Sequence, residues 1–216
     1  KLGGNTLSNW DEAWLAAVAR DGGWWNGDKW WYEPPLVTWV LEGMIQISQS
    51  EWWLRSFGAV AALALVIAVY RKAGAIAALV LVSTIEWLFR ARQINVDIPL
   101  SLWLFLAVSL KSGWFLGMAA MTKRLSWVVA VPALVWAWRK GRLWREIGLF
   151  LVVALPWHIY SYVTHGKEFI DKYLLGFTLG KLTSLNPATG TAPLFYIEAL
   201  RHGMKLWFFV LPIALV

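Results

Sequence analysis

The chain of 216 residues contains no cysteine and few charged residues. The absence of cysteine excludes disulfide bonds, thiolate catalysis and metal sites built on cysteine ligands. Only 15% of the residues are charged, far fewer than in an ordinary soluble domain. The chain also lacks the interleaved aromatic and basic residues that are typical of nucleic-acid binding, so no nucleic-acid partner is expected.

Apolar and aromatic residues, in contrast, are abundant. Hydrophobic residues make up 59% of the chain, and 18 residues are tryptophan. Most of these tryptophans stand near the ends of apolar stretches, where an indole ring is stabilised by the headgroup region of a bilayer. The composition therefore predicts a multi-pass protein of the cell membrane whose partner is the lipid bilayer.

The apolar stretches predict an all-α chain. The predicted helices cover residues 52–70, 74–89, 97–110, 113–122, 125–138, 146–163 and 194–216. Several are shorter than the roughly 20 residues that cross a bilayer, so they would tilt or stop partway. The predicted segments are an external loop with interfacial helices at 1–51, membrane helices with short loops at 52–163, an external loop at 164–193 and a truncated membrane helix at 194–216. Because no signal peptide opens the chain and an apolar run closes it, we expect part of a longer protein.

Basic residues in the short loops predict the orientation of the helices. If the first segment lies outside, the basic residues on the cytoplasmic side are Arg71, Lys72, Lys111, Arg139, Lys140, Arg142 and Arg145. That arrangement satisfies the positive-inside rule. The outer side then carries charges that topology does not require, namely Arg90, Arg92, Lys123, Arg124, Asp11, Glu12 and Asp97. These outer charges suggest an extracytoplasmic site.

Asp11 and Glu12 form an acidic pair at the start of a short amphipathic helix that Ser8 can cap. Carboxylates in a first helical turn complement the helix dipole, so capping alone can account for the pair. The apolar residues that follow would also let the helix lie in the membrane interface. A carboxylate held there can take a proton from an acceptor hydroxyl, so both interpretations stay open.

Two further outer turns carry charges beside prolines. Glu33 precedes the Pro34-Pro35 pair, which favours the start of a helix and would also hold Glu33 over the outer cavity. Asp97 follows Arg90 and Arg92 in a short turn. In one interpretation Asp97 caps the next helix, and the two arginines only extend their charged ends to the membrane interface. In the other, the arginines bind the phosphate of a substrate, and Asp97 orients that substrate.

Lys123 and Arg124 lie between two short apolar spans. Two adjacent cations at membrane depth are costly unless they reach water or an anion, so they are functional candidates. We therefore predict an outer site for a phosphate-bearing lipid. His158, His165 and His202 show no metal-ligand spacing and are interpreted as polar groups near an interface.

A set of short motifs occurs in a defined order along nearly the whole chain. These are Asp11-Glu12-Ala13, Ala19-Arg20, Pro34-Pro35-Leu36, Arg92, Asp97 with Pro99-Leu100, Gly117 with Thr122-Lys123, Leu155-Pro156-Trp157, Gly166, Phe169 and Lys181. Their order and spacing resemble the dolichyl-phosphate-mannose protein mannosyltransferase family, especially its bacterial and archaeal branch with the aminoarabinose transferases. The resemblance implies a GT-C fold, a polytopic membrane helix bundle with interfacial helices in the first external loop.

The resemblance also implies roles for individual residues. Asp11 matches the catalytic acid of the first external loop, with Glu12 beside it, and Asp97 matches the acid of the second external loop. Lys123 and Lys181 match basic residues that contact the lipid phosphate. The predicted catalytic residues are therefore Asp11, Glu12 and Asp97, and the predicted substrate-binding residues are Glu33, Arg90, Arg92, Lys123, Arg124 and Lys181.

Three positions depart from the family pattern. Glu33 stands where many relatives have lysine, so Arg90 or Arg92 would have to replace that phosphate contact. Arg124 stands where glycine is usual, and Thr178 stands at the place of a histidine that helps to bind metal in aminoarabinose transferases. No cofactor is therefore predicted and no metal ligand is assigned, although a divalent metal stays open.

We predict a polyprenyl-phosphate-sugar-dependent glycosyltransferase, either a hexosyl or a pentosyl transferase, that acts with inversion on the outer face of the membrane. Its partners would be the polyprenyl-phosphate sugar donor and a hydroxyl acceptor on a protein or a glycolipid. The alternative is a non-catalytic membrane protein that binds or transports a polyprenyl lipid, because charges within a membrane also mark substrate pathways. Glu42 and Glu86 are the charges that bear on this alternative, and a structural scaffold would leave the outer cations unexplained.

Overall fold

The computed structural model describes residues 10–22, 33–138 and 141–173, together with 198, 201–205, 207 and 208. Within these residues the regular structure is entirely helical, as the apolar pattern predicts. The elements are α1 Trp10–Arg20, α2 Leu36–Ile47, α3 Glu51–Ser83, α4 Ile85–Arg90, α5 Asp97–Leu110, α6 Gly113–Ala120, a 3₁₀ helix Arg124–Ala130, α7 Val131–Trp138, α8 Leu143–His165 and α9 Lys167–Ile170.

Most predicted helices agree with the observed ones. Helix α5 has the same bounds as the predicted helix at 97–110, and α8 extends the predicted helix at 146–163 by a few residues at each end. Helix α3 spans the predicted gap near residue 73, but its geometry breaks at Gly74, where φ is +87°. Because glycine adopts a positive φ without steric cost, the gap between the two predicted helices corresponds to a real break.

The prediction of one helix at 125–138 is only half correct. Residues 124–130 form a 3₁₀ helix, and α7 begins at Val131. Pro132, in the first turn of α7, has no N–H to continue the hydrogen-bond ladder of the preceding segment. Most of the predicted helix at 194–216 and most of the loop at 164–193 lie outside the described residues, although α9 falls within that loop.

Among the described residues, two helices are long and apolar enough to cross a membrane, namely α3 with 33 residues and α8 with 23. Only 11% and 17% of their most apolar stretches are buried inside the protein, so most of their apolar surface faces outward. Shorter apolar helices, including α2 and α5, accompany them. Large outward-facing apolar surfaces of this kind are stabilised by lipid tails. Long and short apolar helices with so little burial are therefore typical of a membrane protein.

Helices α6 and α8 approach each other through glycines. A methyl group added at Gly113 would lie 1.8 Å from the carbonyl oxygen of Glu146, and one added at Gly117 would lie 2.7 Å from the β-carbon of Val153. The Gly113 N–H also donates to the Glu146 carboxylate at 2.9 Å. Small residues at such a crossing let two helix backbones come into contact within a membrane.

We expect Gly113→Ala to destabilise the protein by about 1–3 kcal/mol or more, because the added methyl group must push the two backbones apart. Thermal unfolding in detergent measures this effect. Gly148→Ala is the matched control, since Gly148 lies on α8 and has open space at its β-position. Equal unfolding temperatures of the two variants would contradict the close crossing.

Helix α1 takes part in a small core at one end of the molecule. Leu15, Ala16 and Ala19 of α1 pack against residues of α2 and α3 and against Ile94, which is fully buried. Residues spaced by three and four positions share one face of a helix, so α1 can bury this face and expose the other. The packing fixes α1 beside the turn that precedes α5.

Candidate functional site

A cavity of about 500 Å³ lies at this end of the molecule. It is enclosed by α1, the start of α2, the turn before α5 and the turn that follows α6. Its lining residues are Asp11, Trp14, Leu15, Glu33, Pro34, Val37, Thr38, Asn95, Val96, Asp97, Thr122, Lys123, Arg124, Leu125 and Ser126. The fold thus brings together five of the residues predicted for the site, namely Asp11, Glu33, Asp97, Lys123 and Arg124.

Asn95 organises the turn before α5. Its side-chain oxygen accepts hydrogen bonds from the backbone N–H groups of Asp97 and Ile98, both at 3.0 Å, and its amide nitrogen donates to the Arg90 carbonyl at 2.6 Å. Asn95 therefore does the capping that the sequence offered as an alternative role for Asp97. The Asp97 carboxylate is left to interact with side chains at the cavity.

Asp97 is held between two cations from different elements. Arg90, at the end of α4, donates to one carboxylate oxygen at 2.7 Å, and Lys123 donates to the other oxygen at 2.5 Å. Arg90 also donates to Glu86 at 2.6 Å on the exposed side of α4. A network of alternating charges therefore runs from the surface of α4 into the cavity.

Glu33 and Arg124 form a second ion pair in the cavity wall. The guanidinium group of Arg124 donates through Nε to one Glu33 oxygen at 3.1 Å and through a terminal nitrogen to the other. This two-point geometry fixes both side chains, and the Arg124 side chain is only 7% exposed. Two of the three positions that depart from the pattern of the resembled family are therefore in contact, and the acid at one is paired with the cation at the other.

The Pro34-Pro35 turn is attached to the turn that carries Lys123. The Leu36 N–H donates to the Met121 carbonyl at 2.9 Å, and the Thr38 hydroxyl donates to the Pro35 carbonyl at 2.9 Å. Because Pro35 has no N–H, Leu36 provides the first backbone donor of α2. The start of α2 and the end of α6 are thereby held together at the cavity.

Glu12 occupies a different place from its neighbour Asp11. Its carboxylate is fully buried and accepts from two nitrogens of Arg55, at 2.9 and 3.1 Å, and from the Ile94 N–H at 2.9 Å. Glu12 does not line the cavity. It connects α1, which carries Asp11, to α3 and to the turn that directly precedes Asp97.

We expect Glu12→Gln to destabilise the protein by about 3–5 kcal/mol, because the buried Arg55 guanidinium loses its hydrogen-bonded carboxylate and keeps only the more distant Glu51, at 3.9 Å. The matched variant Glu12→Gln with Arg55→Met removes both charges and keeps an acceptor for the Ile94 N–H. This double variant should recover much of the lost unfolding temperature. If the single variant unfolds at the wild-type temperature, the pair does not hold α1 in place.

Arg90 and Arg92, which were also predicted for the site, are not among the lining residues of the cavity. Arg90 contacts Asp97, and Arg92 is exposed. Lys181 and Thr178 lie outside the described residues. The sequence analysis missed Asn95 and Arg55. An asparagine shortly before a helix start and an arginine in an apolar helix were signals that could have identified them.

A second cavity, of about 760 Å³, lies on the other side of the start of α2. It is lined by Trp39, Glu42, Gly43, Gln46, Met121, Val153, Pro156, Trp157 and Tyr160. Met121 and Thr122 are adjacent in sequence and face the second and the first cavity, respectively. The largely apolar second cavity is therefore next to the charged first one.

Tyr173 packs beside these cavities and is held by a hydrogen bond to α8. Its hydroxyl lies 2.9 Å from His158 Nε2, and His158 Nδ1 lies 2.7 Å from the Ala154 carbonyl. Because a carbonyl oxygen only accepts, Nδ1 carries the proton and the tyrosine hydroxyl donates to Nε2. Burial raises the pKa of Tyr173 well above its usual range, which keeps that hydroxyl protonated.

In the part of the chain that the structure describes, no group of three or more histidine, aspartate or glutamate side chains is placed to hold a metal ion. Four charged residues of the first cavity, Glu33, Asp97, Lys123 and Arg124, instead take part in ion pairs.

Comparison with known proteins gives a structural match. No protein-family model and no curated protein sequence matches the chain. The crystal structure of ArnT from Cupriavidus metallidurans bound to undecaprenyl phosphate matches with a TM-score of 0.74 and 21% sequence identity, over 95% of this chain and 46% of ArnT. The apo structure of the same protein matches with a TM-score of 0.68 and 21% identity, over 95% of this chain and 45% of ArnT.

The chain therefore spans slightly less than half the length of the solved structures that it matches. At this level of identity the match concerns the fold. It agrees with the GT-C fold that the family resemblance implies. The chain has the helical fold of a part of ArnT, the protein whose structure was solved with undecaprenyl phosphate.

Proposed function

We propose that the protein is a multi-pass membrane glycosyltransferase that moves a sugar from a polyprenyl phosphate to a hydroxyl group of a protein or glycolipid acceptor. The observation that carries this proposal is the first cavity, where the acids Asp11 and Asp97 face the cations Lys123 and Arg124. A displacement at an anomeric carbon needs a base for the acceptor and positive charge for the leaving phosphate. The likeness to the fold of ArnT supports undecaprenyl phosphate as the lipid to test.

The reaction that we propose is a single displacement. Asp11 takes the proton of the acceptor hydroxyl, and the oxygen attacks the anomeric carbon of the sugar. The bond between that carbon and the phosphate oxygen breaks, its electron pair stays on the phosphate, and the configuration at the carbon inverts. Lys123, with Arg90 and Arg124 nearby, stabilises the charge that grows on the phosphate.

Glu12 takes a positioning role in this proposal. Its carboxylate is buried against Arg55 and supports α1 from behind, so that Asp11, one residue before it, lines the cavity. Arg92 and Lys181 remain predicted phosphate contacts. The apolar second cavity, directly beside the first, is suited to a hydrocarbon chain of the lipid donor or of a lipid acceptor.

The proposed site faces the extracytoplasmic side. Asp97 begins α5, and Lys111 directly follows its end, so the cavity and this basic residue lie at opposite ends of the same helix. Arg142 and Arg145 lie beside the start of α8, which packs against Gly113 just after Lys111. The positive-inside rule assigns that end to the cytoplasm and the cavity to the outer face.

The experiment measures release of undecaprenyl phosphate by the purified protein from undecaprenyl-phosphate mannose and undecaprenyl-phosphate aminoarabinose, with a membrane extract as acceptor. We expect release that depends on the acceptor and appears with transfer of the sugar. Movement of the lipid across vesicles without release would favour the transport alternative. In that case Glu42, which lines the second cavity, would be the first residue to test.

A further inference from the structure

Two cations from separate elements converge on one carboxylate at the edge of the cavity. Arg90 stands at the end of α4, and Lys123 stands in the turn after α6, 26 positions beyond Asp97. Each cation donates to a different oxygen of Asp97, at 2.7 and 2.5 Å. The point where they meet is therefore a site for an anion, and in this structure the anion is a side chain of the protein itself.

The carboxylate is fixed at this point by its backbone. Asn95 caps the start of α5 by accepting from the Asp97 and Ile98 N–H groups. The side chains of Asp97, Arg90 and Lys123 are 32%, 38% and 42% exposed, so solvent and ligands reach all three. Ion pairs with this degree of exposure are weak enough for a competing anion to replace one partner.

We propose that Asp97 is a resident counter-ion that the phosphate of the donor displaces from Lys123 and Arg90. The proposal rests on the proposed function, because it takes that phosphate as the incoming anion. The phosphodiester of the donor has two non-bridging oxygens, so it can accept from both cations at once, as the carboxylate does. When it binds, the Asp97 oxygens turn from the cations to hydroxyl groups of the sugar or the acceptor.

This exchange has a consequence for the order of binding. Before the donor arrives, both oxygens of Asp97 are occupied by cations, so they are poorly placed to accept from a substrate hydroxyl. After the donor phosphate has taken Lys123 and Arg90, Asp97 becomes an acceptor within the cavity. The donor therefore binds first, and its binding makes the Asp97 carboxylate available to the acceptor substrate.

The alternative role of Asp97 is that of a brace that holds the two cations in position for the phosphate. The two roles predict opposite signs for the effect of removing its charge. If Asp97 is a brace, its loss lets Lys123 and Arg90 move apart and therefore weakens phosphate binding. A resident counter-ion makes phosphate binding tighter when it is lost, since the phosphate no longer competes with it.

The test is binding of undecaprenyl phosphate to the purified protein and to Asp97→Asn, measured by isothermal titration calorimetry in detergent. We expect the variant to bind about 3- to 10-fold more tightly, because two partly exposed ion pairs no longer oppose the ligand. Turnover with the sugar-bearing donor should fall at the same time. Asp97→Ser also removes the charge and suits the first turn of a helix, so it gives an independent result if the amide variant does not fold.

Glu86→Gln is the matched control. It removes one negative charge and one partner of Arg90, but Glu86 is an exposed residue that does not line the cavity. We expect its affinity for undecaprenyl phosphate to stay within about twofold of the wild type. Equal or weaker binding by both Asp97 variants would overturn the counter-ion role. Failure of the wild type to bind undecaprenyl phosphate would instead overturn the proposed function.

Discussion

Replacement of Asp11 by asparagine is expected to lower the turnover number about 10²- to 10⁴-fold, the range for loss of a general base. Asp11 is exposed in the first turn of α1 and lines the cavity opposite Lys123. Asparagine keeps nearly the same shape but cannot accept the proton of an acceptor hydroxyl. Affinity for undecaprenyl phosphate should change little, because the proposed phosphate contacts are Lys123 and Arg90 and not Asp11.

Asp21→Asn is the control for this variant. Asp21 is exposed directly after the end of α1 and does not line the cavity, so its neutralisation should leave turnover unchanged. Steady-state rates of undecaprenyl phosphate release for both variants, with thermal unfolding as a check on folding, decide the result. Full turnover by folded Asp11→Asn would exclude Asp11 as the base.

Replacement of Lys123 by alanine is expected to lower turnover about 10²- to 10³-fold, the effect of losing one preorganised group that stabilises developing negative charge. The phosphate of the product carries more negative charge than the phosphodiester of the donor. The loss should therefore be larger in turnover than in donor affinity. Lys123→Arg should retain part of the activity, because it keeps a positive charge at the same position.

Lys172→Ala provides the comparison for Lys123→Ala. Lys172 pairs with Glu168 on the exposed surface beyond α9, away from the cavity. Its loss removes the same charge from the protein without touching the site, so turnover should be unchanged. If the two alanine variants have equal activities, Lys123 has no special role in phosphate stabilisation.

The helices of the fold could be predicted because apolar stretches and their interruptions are local properties of the sequence. Helix α5 begins and ends where the sequence predicts, and the break in α3 falls at Gly74. The 3₁₀ helix before α7 was not predicted, because an apolar run does not show whether its backbone hydrogen bonds are those of an α-helix or of a 3₁₀ helix. Pro132 was the local signal for that change.

The candidate site could be predicted only in part, because its geometry depends on contacts between distant residues. Glu33 and Arg124 are 91 positions apart, and Glu12 and Arg55 are 43 apart, so neither pair can be recognised from spacing. Charges next to apolar spans are costly without a partner, so the sequence marks them as candidates for a site. Which partner each one has is decided by packing.

The acidic pair shows most clearly that a sequence motif does not predict the position of each of its side chains. Asp11 and Glu12 are adjacent, but consecutive residues of a helix point in directions about 100° apart. One carboxylate therefore reaches the cavity while the other enters the core and meets Arg55. A sequence motif names both residues together, whereas the helix gives them different roles.

The most direct test is a structure of the protein with undecaprenyl phosphate bound. We predict that the phosphate lies in the cavity between Asp11 and Asp97, with one of its oxygens at hydrogen-bond distance, about 3 Å, from the Lys123 ammonium group. A phosphate bound at another place, with Lys123 still paired to Asp97, would contradict both the proposed function and the role given to Lys123.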